Sequence, residues 1–156
     1  ELCERVLRLL QNEAPPKVNF ARDYDPSLPE VPLDINMMIQ AMLNLGRNAL
    51  EAVSRNEGGA GRIVVRPRAL HNHYIGATRH RLVSSIQFED DGPGVAPELR
   101  ETLFYPLVTG RPGGAGLGLA IAQDLVSRHG GLIEFDSVPG RTQFTILLPC
   151  PQPKSG

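Results

Sequence analysis

Between Asp34 and the glycines at 58, 59 and 61, the apolar residues Ile35, Met38, Ile39, Met42, Leu43, Leu45, Leu50 and Val53 recur at helical spacing. A helix with so broad an apolar face cannot stand alone in water, because its stability must come from burying that face. Asp34 is placed to cap its first turn and the glycines end it. The flanks predict the partner layer. Segments 18–24, 63–70, 81–88, 132–135 and 142–148 read as strands, with Pro139-Gly140 as the turn between the last two. Segments 1–13, 97–104 and 117–128 read as further helices. Helix, strand, helix, two strands, two helices, two strands is an α/β order. It favours a two-layer α/β sandwich, a mixed sheet of about five strands under about three helices, over a doubly wound parallel sheet.

The 156 residues are 41% apolar, enough for one core. Sixteen basic against 17 acidic side chains leave a net charge of −1, so no global field favours nucleic acid or anionic lipid, and neither is an expected partner. Cys3 and Cys150 resemble neither a metal pair nor a disulfide framework, which fits a reducing compartment. With no apolar run near the roughly 18 residues of a membrane span, and no signal-peptide pattern, the expected location is cytoplasmic. The first helix starts uncapped with its apolar stripe already running, as the end of a helix from a preceding domain would. Residues 15–150 would then form the domain and 151–156 a tail. The polar stretch 71–80, with His71, His73 and His80, reads as a hairpin excursion joining two strands.

Three polar clusters lie outside any core pattern. Asn44 and Asn48 are four apart and share a helix face beside the apolar stripe. A neutral carboxamide oxygen suits Mg²⁺ bridging substrate phosphates, and a merely solvated pair of amides is the alternative. Glu89-Asp90-Asp91-Gly92-Pro93-Gly94 follows a strand. There an acid beside bare glycine backbone suits an adenine amino group, and an ordinary acidic turn is the alternative. A calcium loop fails at its first ligand, which would be Gln87. Gly110, Gly113, Gly114, Gly116 and Gly118 lead into a helix whose N-terminus would seat phosphate oxygens. This is neither a Walker loop nor a dinucleotide fingerprint, and a flexible linker is the alternative.

With these clusters in this order, the chain resembles the ATP-binding catalytic domain of sensor histidine kinases, within the wider gyrase, Hsp90, MutL and kinase superfamily with its Bergerat-type fold. Residues 44–52 resemble the N box, 90–94 the first glycine box, 103–107 the F box and 114–119 the second glycine box. Residues 104–111, the opening stretch and the polar excursion are similar to the nitrogen-regulation sensor kinases. The resemblance implies MgATP as the nucleotide and γ-phosphoryl transfer to a histidine on a separate dimerisation domain. A response regulator of nitrogen regulation would then receive the phosphoryl group, and the first helix would end that dimerisation domain.

It also implies residue roles. Asn48 would hold Mg²⁺ and Asn44 the phosphate end; Asp90 would bind the adenine amino group, helped by Gly92 and Gly94. Gly114, Gly116, Leu117 and Gly118 would pass close to the triphosphate, and Arg47 and Arg111 are candidates for the γ-phosphate. A PII-type signalling protein is an implied partner, and the isolated domain is expected to be monomeric. Hydrolytic relatives carry a glutamate where Asn44 stands, so transfer is favoured over hydrolysis. A purely regulatory nucleotide switch is the remaining alternative. Ala115, where the family often has threonine, and Gly46, inside a helix at a cost of roughly 1 kcal/mol, depart from the pattern. None of the four histidines lies in the setting of a phosphoacceptor.

Overall fold

A computed structural model of the chain describes residues 2–24, 34–93 and 115–150. In chain order these form α1 (Leu2–Glu13), β1 (Val18–Arg22), α2 (Ile35–Ser54), a 3-10 turn (Glu57–Gly59), β2 (Gly61–Ile75), β3 (Thr78–Asp90), α3 (Ala115–Ser127), β4 (Leu132–Val138) and β5 (Arg141–Pro149). The helix predicted at 97–104 lies outside the described residues. Among them, no helix is long and apolar enough to cross a membrane.

The strands form one mixed sheet in the order β1-β2-β3-β5-β4, with β1 parallel to β2 and every other pair antiparallel. One face is covered. Val65, Ile86, Phe88, Phe144, Ile146 and Ile133 meet Met38, Met42 and Leu45 of α2 and Leu119, Ala122 and Val126 of α3 in a single core. The two-layer sandwich is thus present, with strands that alternate inward and outward beneath the helical layer.

Helix α2 spans its predicted bounds, and the Asp34 carboxylate caps it by accepting from the Met37 N–H at 3.1 Å. The N–H of Asp34 itself donates to His129 Nε2 at 3.1 Å. Since Nε2 accepts, Nδ1 carries the proton and donates to the Leu125 carbonyl at 2.9 Å. His129 therefore ties the end of α3 to the start of α2.

The first helix belongs to the same core. Val6 is 1% exposed, Leu7 and Leu10 are fully buried, and all three join the cluster under α2. A Cβ on Gly46 would lie 2.3 Å from Leu10 Cδ1, so the glycine that departs from the sequence pattern is where α1 packs closely on α2. Glu4 accepts from Arg22 and from the Tyr24 hydroxyl, and Glu13 pairs with Arg47 at 3.1 Å, so α1 is tied to both β1 and α2.

The polar excursion is the hairpin expected there, with both strands longer than the sequence suggested. Strands β2 and β3 run unbroken through it, pairing His71 with Leu82 and His73 with His80 up to a turn at Gly76-Ala77. Asn72 breaks the alternation at φ 51, a left-handed conformation that asparagine tolerates. Ile75 at the tip clusters with Val83 and Leu147 and stays buried. The arm and the sheet face opposite the helices bound a cleft of about 290 Å³, lined by Arg66, Arg68, His73, Gln87 and Glu134 among others. Asp23 pairs with both arginines there, at 2.9 Å to Arg66 and 2.8 Å to Arg68.

Candidate functional site

Asp90 ends β3, between Ile63 of β2 and Thr142 of β5. It is 1% exposed. Its Oδ1 accepts from the Gly92 N–H at 2.9 Å, while among the described residues nothing donates to Oδ2. Burial, with the charges of Asp91 and Glu89 adding to it, raises the Asp90 carboxyl to about 6, and the Gly92 hydrogen bond opposes that rise. A buried carboxylate with one oxygen satisfied and one waiting is unfavourable unless a donor arrives.

Helix α2 sets the other groups on a single stripe. Asn44, Asn48 and Ala52 succeed one another at intervals of four and so lie along one face, spanning about 12 Å. At one end, a Cβ on Gly118 in the opening turns of α3 would stand 3.9 Å from the Asn44 side chain. At the other, a Cβ on Gly92 would stand 2.9 Å from the Ala52 backbone. Only glycine lets the turn after Asp90 come this close to α2. Asn44 and Asn48, both half-buried, therefore lie between the start of α3 and the Asp90 turn.

Three consecutive acids thereby occupy three environments. Glu89 points to the sheet face opposite the helices, where Gln143 donates to it at 2.6 Å and Arg66 lies at 3.6 Å. Asp90 points inward. Asp91 is exposed, and its Oδ1 accepts from the Arg62 N–H at 2.9 Å.

Of the residues singled out from the sequence, Asn44, Asn48, Asp90, Gly92 and Gly118 come together here. Gly116 and Leu117 lie in the first turn of α3. Gly94, Arg111 and Gly114 lie outside the described residues. Arg47 stands beside Asn48 in sequence but holds Glu13, its Nε also contacting both carboxylate oxygens at 3.2 Å. His71, His73 and His80 lie on the hairpin arm and His129 at the end of α3, so none is on a helical face.

Asn56 was not legible in the sequence as a site residue. Its amide donates to the Ala60 carbonyl at 3.1 Å and to the Asp91 carbonyl at 3.2 Å. An asparagine after a helix and before two glycines signals only a turn, and Asp91 is 35 residues away.

Residues 33–152 match the family described as histidine kinase-, DNA gyrase B- and HSP90-like ATPase. The sensory histidine kinase/phosphatase NtrB of Salmonella typhimurium is 48% identical over 149 residues, covering 96% of this chain and 42% of that protein. The chain thus spans well under half the length of the curated relatives it matches. The solved mycobacterial sensor histidine kinase MprB is 25% identical with a TM-score of 0.76, covering 96% of this chain and 93% of that one. Full-length ShkA in complex with AMPPNP is 27% identical with a TM-score of 0.78, over 97% of this chain and 30% of that one. Matched by that family over most of its length, the chain belongs to the histidine kinase-, DNA gyrase B- and HSP90-like ATPases.

Proposed function

We propose that this chain is the ATP-binding catalytic domain of a nitrogen-regulation sensor histidine kinase, which binds MgATP and passes its γ-phosphoryl group to a histidine on a separate dimerisation domain. Asp90 is the main support. A buried carboxylate oxygen without a donor, beside a turn pressed onto α2, is a seat for the exocyclic amine of a purine. With the carboxyl near 6, Asp90 is mostly ionised at neutral pH and accepts that hydrogen bond at Oδ2.

Asn44 and Asn48 fit the other end of the nucleotide. A carboxamide oxygen is a hard ligand, and Mg²⁺ needs few protein donors when phosphates supply the rest, so Asn48 would hold the ion and Asn44 the phosphate oxygens. The ion supplies neutralisation of charge on the phosphates. The start of α3, opposite Asn44, adds backbone N–H groups and the positive end of the helix dipole. Arg47, held by Glu13, is assigned to the α1–α2 contact, and Arg111 is the remaining candidate for the γ-phosphate. Asn44 cannot accept a proton from water, which favours transfer over hydrolysis. NtrB and MprB bear the name of histidine kinases, and ShkA was solved in complex with AMPPNP, which agrees with this reading. The response regulator and a PII-type protein are proposed partners of the whole protein, with the domain itself monomeric and cytoplasmic.

The test is to mix the chain with a separately expressed dimerisation and histidine-phosphotransfer domain and γ-labelled ATP. Label is expected on that histidine, and is expected to be lost with Asn48→Ala. Nucleotide binding without any labelled histidine would refute transfer. Rapid ATP turnover by the chain alone would replace it with hydrolysis.

A further inference from the structure

The peptide that joins Asp91 to Gly92 is held from both sides. Its N–H donates to Asp90 Oδ1 at 2.9 Å and its carbonyl accepts from Asn56 Nδ2 at 3.2 Å. A peptide unit is planar, so fixing the carbonyl fixes the direction of the N–H, and that N–H fixes the carboxylate. The same Asn56 amide reaches the Ala60 carbonyl at 3.1 Å, next to Gly61, where β2 begins.

The surroundings leave this arrangement little slack. Asp91 Oδ1 takes the Arg62 N–H at 2.9 Å, and a Cβ on Gly61 would lie 2.9 Å from that oxygen and 2.5 Å from Val53 Cβ. The turn after Asp90 is thereby braced against the start of β2 and the end of α2. Hydrogen bonds in series also polarise one another, so donation at the carbonyl strengthens donation by the N–H.

We propose that Asn56 is a positioning residue for base recognition: through the Asp91–Gly92 peptide it orients the Asp90 carboxylate so that Oδ2 meets the purine amino group. Asn56 itself touches no nucleotide in this scheme. The proposal rests on the reading of Asp90 as the base-recognising acid, and its test separates the two.

The measurement is the ratio of affinities of the chain for an adenine and a guanine nucleotide, AMP-PNP and GMP-PNP with Mg²⁺, by calorimetry. A residue that only stabilised the fold would weaken both alike. Asn56→Ala is expected to weaken AMP-PNP by roughly tenfold, the scale of one misaligned hydrogen bond, and to leave GMP-PNP within about twofold. Should Asn56→Ala not fold, Asn56→Asp, which keeps the shape but turns an acceptor toward both carbonyls, decides in the same way. An unchanged ratio in a folded variant overturns the role of Asn56. If the native chain shows no preference for adenine, or Asp90→Asn keeps it, the base-recognition reading itself fails and the proposal with it.

Discussion

Leu10 of α1 fills the space above Gly46 of α2, so closely that a Cβ on Gly46 would lie 2.3 Å from its Cδ1 and 3.2 Å from its Cγ. Alanine gains about 1 kcal/mol of helix propensity over glycine, whereas overpacking a filled core costs about 1–3 kcal/mol. Gly46→Ala is therefore expected to lower stability to urea by about 1 kcal/mol. In a Leu10→Ala background the same substitution should become stabilising. A double-mutant cycle without coupling would mean that the two helices do not press on each other there.

Asp90 sets a pH dependence whose sign is opposite to that of a salt-bridged acid. Burial raises its carboxyl from 3.8 to about 6, so its share of stability is fully present below 3.8 and lost as pH rises through 6. Asp90→Asn removes that loss. Its stability relative to the native chain should improve by roughly 2 kcal/mol between pH 4 and pH 7.5, read from urea unfolding at both values. Adenine nucleotide affinity of the native chain should fall as pH drops below about 6, because protonation occupies the acceptor.

The hairpin arm holds Asn72 at a φ of 51, which suits asparagine or glycine and no β-branched residue. Asn72→Val is expected to cost about 1–2 kcal/mol and Asn72→Gly less than about 0.5 kcal/mol. Nucleotide affinity should be the same in both, since the arm lies beyond the far end of β3 from Asp90. A changed affinity would tie the arm to the site.

Arg47 offers a test of which arginine meets the phosphates. Its ion pair with Glu13 is half exposed on both sides, 53% and 44%, so Arg47→Ala should cost less than about 1 kcal/mol of stability. MgATP affinity should stay within about twofold. A tenfold loss would return Arg47 to the phosphate end.

The features legible in the sequence are those fixed by local chemistry. The cap at Asp34 and the apolar spacing gave α2 its bounds, and an acid at a strand end before glycine marked Asp90. What was missed depends on distance in the chain. In the stretch 71–80 polar residues such as His71, Asn72, His73 and His80 outnumber the apolar ones, so the alternation that marks strands is weak although the pairing continues. Gly46 reads as a helix defect until Leu10, 36 residues earlier, is seen to pack on it. The bond from Asn56 to Asp91 joins elements that neither propensity nor spacing relates.

The pleat of β3 also carries a consequence for how this chain can vary. Glu89, Asp90 and Asp91 look interchangeable as text, yet one meets Gln143, one the interior and one the Arg62 backbone. Losing or gaining a single residue within β3 would keep three acids in a row while handing the interior position to the wrong one. If Asp90 reads the base as proposed, the length of that strand matters to recognition as much as the identity of its last carboxylate, and a one-residue indel there should cost ligand selectivity together with the packing of Ile86 and Phe88.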